Sequence, residues 1–206
     1  MSEAKTYNPL DRKHLGESIV GALLDTEIIQ LKGLHKFLGA GIYAIYYTGS
    51  NQLYAPLAKL NQGRATHPIY VGKAVPKGGR KGAQDSSIAS TALYSRLGEH
   101  ADSIRACGDF KIEDFTCRYL AVEDIWIGLG ESLLIQTFRP VWNHVVDGFG
   151  NHDPGGGRYE GRKPLWDELH PGRAWAARCK KAPKLSFEEI VAAVEEALGK
   201  LPVSDE

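Results

Sequence analysis

The chain has 206 residues, 25 basic and 25 acidic, and 43% hydrophobic residues, a composition ordinary for a folded domain with a sizeable core. The apolar run Gly41 to Tyr47 is far short of the ~18 residues a membrane-spanning helix needs, and MSEAKTYNPL carries neither the basic start nor the apolar stretch of a secretory signal. With three scattered cysteines, Cys107, Cys117 and Cys179, this predicts a cytoplasmic protein with no membrane contact and no disulfide framework.

Residues 1–40 read as a helical extension, with Leu15, Ile19 and Leu23, then Ile28, Leu31 and Leu34, at helix-like spacing and turns near Asp25 and Gly33. GIYAIYY (41–47) and PIYVGKA (68–74) are short, rich in aromatic and β-branched residues and bounded by turn formers, so they read as strands, and Thr116 to Val122 is a third. A polar insertion, Thr48 to Thr66, separates the first two. VPKGGRKGAQDSS after the second is a loop by composition. A helix is predicted from about Thr91 to Ala106, burying Leu93, Leu97, Ala101 and Ile104, with Gly98 hinting at a close backbone approach. Another runs from about Asp124 to Phe138 and stops before Pro140. Gly148 to Gly161 is too glycine-rich for a regular element. LSFEEIVAAVEEAL closes the chain as a helix, with capping-box spacing between Ser186 and Glu189.

The zero net charge conceals segregation. Arg64 to Gln84 holds five bases and no acid, Arg158 to Lys184 eight bases against three acids, and Leu185 to Glu206 six acids against Lys200. Basic faces with an acidic back suit a polyanion, and equally suit a solvated surface with no partner.

Five features then fall in order along the chain: GIY at 41–43, YVG at 70–72, Arg96 in the next helix, Glu131 in the helix after the third strand, and Asn143 just beyond it. Their order and context resemble the GIY-YIG nuclease family, over a core of about residues 41–145. Residues 1–40 and 146–206 would be N- and C-terminal extensions of one domain. The resemblance implies an α/β (α+β) fold, a small antiparallel three-stranded sheet flanked by helices. It also implies hydrolysis of DNA phosphodiesters with one divalent metal, Mg2+ with Mn2+ as a substitute.

Phosphodiester hydrolysis needs an activated water, relief of phosphate charge and protection of the leaving oxygen. Glu131 shares a helix face with Leu134, Ile135 and Phe138, where an unpaired carboxylate is costly to bury. By resemblance it is the one protein ligand of the metal, whose other positions go to waters and phosphate oxygens. Without the motif, pairing with Arg139 is the simpler reading. By resemblance, too, Tyr43 helps deprotonate the attacking water, Tyr70 positions water or phosphate, Arg96 holds the scissile phosphate and Asn143 closes the site. A phenol acting as a free base near neutrality needs its pKa of about 10 lowered by about three units, or ~4 kcal/mol.

Arg96 and His100 lie four residues apart on one helix face, and a neutral His100 is able to accept the phenolic proton of Tyr43. The other reading of His100 is an exposed residue beside Glu99, with Lys73 as a competing activator. A histidine here resembles the restriction-enzyme branch of the family. Zinc has no CxxC to hold it, and the Gly-rich spacing around His144, Asn151 and His152 lacks the strand pair and helix of an HNH site.

The chain has no room for the further modules of repair, resolvase or homing relatives, so the expectation is a type II restriction endonuclease of a bacterial-type cell. It would act as a homodimer on a short palindrome in double-stranded DNA, and the branch includes cutters of CCGCGG. Candidate DNA contacts are Lys73, Lys77, Arg80, Lys81 and Gln84 on one loop, and Asn151, Arg158, Arg162 and Lys163 on the other. The alternatives are a structure-specific repair or recombination nuclease and a catalytically silent DNA-binding module.

Overall fold

A computed structural model of the chain describes residues 8, 10–76, 90–153, 155 and 159–202. Four strands form one antiparallel sheet: β1 (Ile29–Gln30), β2 (Gly41–Tyr47), β3 (Tyr70–Ala74) and β4 (Phe115–Ala121), in the spatial order β1-β4-β2-β3. All seven residues of β2 are buried, because both faces of this central strand are covered. On one face Tyr43, Ile45 and Tyr47 enter a core with Leu97, Phe115, Trp142 and Trp166. On the other, Ile42, Ala44 and Tyr46 pack with Leu23, Ile127 and Leu134.

The helices are α1 (Arg12–Leu24), α2 (Ala55–Asn61), α3 (Ala92–Ala106), α4 (Asp124–Phe138), α5 (Val141–His144), α6 (Leu165–Leu169) and α7 (Phe187–Leu198). The three sequence-predicted strands and the helices at 92–106 and 124–138 form where their patterns place them. α4 ends as Arg139 turns left-handed at φ 45° ahead of Pro140. The capping box of α7 is present, Ser186 Oγ accepting from Glu189 N at 3.2 Å and Glu189 Oε2 accepting from Ser186 N at 2.7 Å. Its Ile190, Val194 and Leu198 bury into the same core as Trp142.

Two expectations are corrected. The N-terminal extension is helical only over α1. Ile29–Gln30 is instead a fourth strand, pairing with Thr116 and Cys117, and Leu31 N donates to the Phe115 carbonyl. The i, i+3, i+6 spacing of Ile28, Leu31 and Leu34 therefore reflects no helix, and hydrogen bonds to a distant strand decide the conformation. Gly98 marks no close approach either, since a side chain there would meet nothing within 4 Å. The Thr48–Thr66 insertion leaves β2 and β3 paired. It folds into a 3-10 turn at Gln52–Tyr54 and α2, tied down as Asn61 Nδ2 donates to the carbonyls of Tyr47 and His67. No helix among the described residues is long and apolar enough to cross a membrane, and the three cysteines are free thiols.

Candidate active site

Tyr43 pairs with Gly72 across β2 and β3, and Tyr70, two residues from Gly72, points to the same face. A Cβ at Gly72 would lie 2.3 Å from the Tyr43 hydroxyl and 3.0 Å from the Tyr70 ring. The glycine of YVG is therefore the gap through which the Tyr43 ring crosses the edge strand. Beneath it, Tyr43 Oη lies 2.6 Å from His100 Nε2 on α3. His100 is fully buried rather than an exposed helix residue, stacked on Phe149 at 4.6 Å and 18° and edge-on to Tyr70 at 5.1 Å.

Burial sets the protonation of this pair. It pushes the Tyr43 phenol well above its ordinary value, against the pull of the Arg96 guanidinium beside it. It also holds His100 well below the usual imidazole range, helped by the charges of Arg96, His152 and Arg173. A neutral imidazole facing a protonated phenol makes Tyr43 the donor and His100 Nε2 the acceptor. The depressed phenol that a free phenolate base requires is thus the reverse of what the fold provides.

Arg96, four residues before His100, reaches the same cleft. Its Nη2 donates to the Gly150 carbonyl at 2.6 Å, and Nη1 donates to Glu99 Oε2 at 3.0 Å and contacts the His152 ring. Tyr43, Tyr70, Lys73, Arg96, Glu99, Glu131 and His152 line one open cavity of about 620 Å³. Glu131 reaches it from α4, on the opposite face of the sheet from Tyr43, where it meets Lys73 Nζ at 2.7 Å rather than Arg139. Lys73 is on β3 one residue past Gly72, so alternation turns it to Glu131 and away from the Tyr43–His100 pair.

Among the described residues no group of three acidic, histidine or cysteine side chains is placed to cage a metal. One carboxylate, four-fifths buried and beside an open polar cavity, suits a hard cation that keeps most of its waters and takes phosphate oxygens as further ligands. The ammonium of Lys73 supplies positive charge at that carboxylate.

Asn143, in α5, turns its amide away from the cavity. Val71 N donates to its Oδ1 and its Nδ2 donates to the Val71 carbonyl, both at 2.8 Å, so it holds β3 in place beneath Tyr70. Of the candidate DNA contacts, Lys73 is in the cavity. Asn151 and Arg162 line a hollow that adjoins it at His152, and Lys163, paired with Glu168 at 3.0 Å, lies one hollow further on. Lys77, Arg80, Lys81, Gln84 and Arg158 lie outside the described residues.

Sequence reading missed Glu99, His152 and the Gly150 carbonyl as partners of Arg96. The i, i+3 spacing of Arg96 and Glu99 is a signal for the first. It also missed the buried pair of Asp167 and Arg173, since Asp167 lies in α6 and Arg173 beyond its end, so no single element's period relates them.

Comparison with curated proteins finds no match. The family model described as the Eco29kI GIY-YIG domain matches residues 35–198, extending past the 41–145 core at both ends, and by that match this chain belongs to the Eco29kI GIY-YIG restriction endonuclease family.

Proposed function

We propose that this restriction-type nuclease is a type II enzyme that cuts both strands of DNA at a short GC-rich palindrome of the CCGCGG type. It works in the cytoplasm of a bacterial-type cell as a homodimer, with one Mg2+ per active site and Mn2+ as a substitute. The observation that carries this reading is the 2.6 Å Tyr43–His100 contact, set in one cleft with Arg96 and Glu131.

Because the buried phenol resists ionisation, the proposed base is the pair rather than the phenolate. As the attacking water gives its proton to Tyr43 Oη, Tyr43 gives its own to His100 Nε2, so the phenol is neutral before and after and the charge rests on the imidazole. Arg96 offers the planar fork of donors that suits a phosphate, already held at the cleft wall by Glu99 and the Gly150 carbonyl. The Tyr70 hydroxyl, on the same face as Tyr43, orients water or a phosphate oxygen. Glu131 would hold the divalent cation, which when bound neutralises phosphate charge and steadies the leaving oxygen. With that carboxylate engaged elsewhere, Lys73 becomes available for a backbone phosphate. Asn143 serves the same site by bracing β3. The two dimer halves each supply one such constellation to one strand, with Asn151, Arg162 and Lys163 beside it as base and phosphate contacts.

The test is incubation of a supercoiled plasmid carrying one CCGCGG sequence with the protein and Mg2+. Full-length linear product, abolished in Glu131→Ala, supports the reading. Discrete fragments from plasmids lacking that sequence move the recognition site but keep the enzyme class. Cleavage confined to branched DNA, or binding without cleavage, overturns it.

A further inference from the structure

Among the described residues Arg173 carries the most side-chain hydrogen bonds, and it has no place in the chemistry described above. It is 6% exposed, and Asp167 opposite it is fully buried. Burying two ions is expensive, and such pairs persist where every donor is used. Here all five are. Nε and Nη2 donate to the two carboxylate oxygens of Asp167 at 2.7 and 2.5 Å, Nη1 to the carbonyls of Phe149 and Asn151 at 3.0 Å each, and Nη2 to that of Gly148 at 2.8 Å. The guanidinium also lies over the rings of Trp166 and Trp175, at 4.6 and 4.9 Å.

Three of those donors hold the carbonyls of 148, 149 and 151 and skip the one between. That one, the Gly150 carbonyl, faces the other way and accepts from Arg96 Nη2 at 2.6 Å. The same stretch lays the Phe149 ring against His100. A Cβ at Gly150 would lie 2.4 Å from the Tyr70 hydroxyl, so this backbone has no slack on its inner side. Whatever orients Arg173 therefore orients the segment that fixes Arg96 and shields His100.

We propose that Arg173, anchored by Asp167, is a positioning residue that clamps Gly148–Asn151 so that Arg96 is aimed at the phosphate and His100 is kept dry. This rests on the nuclease reading above. Asp167 holds the fork in plane, and the fork divides the four carbonyls between the two arginines.

The test compares wild type with two variants for DNA binding, plasmid cleavage and pH–rate profile. Arg173→Lys keeps a charge opposite Asp167 but lacks the five-donor fork. It is expected to fold, to hold KM for DNA within about threefold and to lose roughly 100-fold in kcat, the scale of an ångström-sized misplacement. Arg173→Met with Asp167→Leu removes both charges while keeping volume, a replacement that folds well in other buried pairs, and its kcat is expected to fall as far. In both, water reaching His100 raises its proton affinity, so the acid limb of the rate profile moves to higher pH. The groups facing His100 are Tyr43, Tyr70, Arg96, His152 and Arg173 itself. A purely structural pair would lower the melting temperature and, in Arg173→Lys, which keeps the charge that helps hold His100 low, leave that limb where it was.

Either variant, folded by circular dichroism, with kcat within threefold of wild type and an unmoved limb overturns the proposal. So does failure of both to fold, which would assign the pair to the fold rather than the site. A wild-type chain that cuts nothing removes the nuclease reading and this inference with it, whereas a cutting wild type beside equally active variants removes the inference alone.

Discussion

Tyr43→Phe deletes one oxygen, and its two consequences differ enough in size to be separated. In the folded protein that oxygen donates to His100 Nε2 at 2.6 Å, both residues being buried. Removing it leaves a buried acceptor unpaired, at a cost of about 1–3 kcal/mol. For a chain of this length that lowers the melting temperature by roughly 2–4 °C per kcal/mol. A fold worth about 5–15 kcal/mol survives the change with the protein still folded at 25 °C. The rate behaves differently. Losing general-base assistance costs about 10²–10⁴ in rate, or roughly 3–5 kcal/mol of barrier. The assay is single-turnover cleavage of a plasmid with Mg2+, next to a thermal melt. Because the pair moves the proton as a unit, His100→Ala is expected to slow cutting comparably, and the double variant no further than the slower single. Burial holds the folded His100 below its ordinary 6.5, so in wild type the rate stays flat as pH falls to 6.5 and drops only as the imidazole is protonated below that. A folded Tyr43→Phe that cuts within tenfold of wild type, or single losses that multiply in the double variant, would refute the relay.

Gly72→Ala is expected to lose at least ~100-fold in cutting and about 1–3 kcal/mol in stability, because its Cβ would sit 2.3 Å from the Tyr43 hydroxyl; a folded variant with wild-type rate refutes the crossing-ring argument. Lys73→Ala frees Glu131 of a half-exposed ammonium, so Mn2+ binding followed by electron paramagnetic resonance is expected to tighten about fivefold, the scale of an exposed pair, and unchanged or weaker binding would contradict this. Gly98→Ala is expected to stabilise by ~1 kcal/mol with cleavage unchanged, since α3 gains a better helix former in open space; a lower melting temperature would show an unseen constraint.

The strands and main helices were legible because each carries its own signal. The 41–47 run has the length and residue types of a strand buried on both faces, Pro140 bounds α4, and Ser186 with Glu189 opens α7. β1 was not, since two residues have no period and become a strand only through Thr116 and Cys117, far along the chain. In the site, Tyr43, Tyr70, Arg96 and Glu131 fall in one cleft, and His100 pairs with Tyr43 from behind it. What sequence left open were consequences of depth and direction. Burial raises the proton affinity of Tyr43 where a base wants it lowered, and strand alternation sends Lys73 to Glu131 rather than to the phenol. The Asn143 amide faces a backbone rather than a substrate, which no spacing rule distinguishes.

That amide has a second bearing. β3 is the last strand of the sheet, and an uncovered edge is a template on which another chain adds itself. Asn143 presents one acceptor and one donor to Val71 as a neighbouring strand would, and Trp142 N adds a bond to the Ile69 carbonyl, so a short helix closes the border of the sheet. Replacing Asn143 would therefore expose a sticky seam as well as unsettle Tyr70, and the solubility of such variants reports on intermolecular strand addition independently of any cleavage rate.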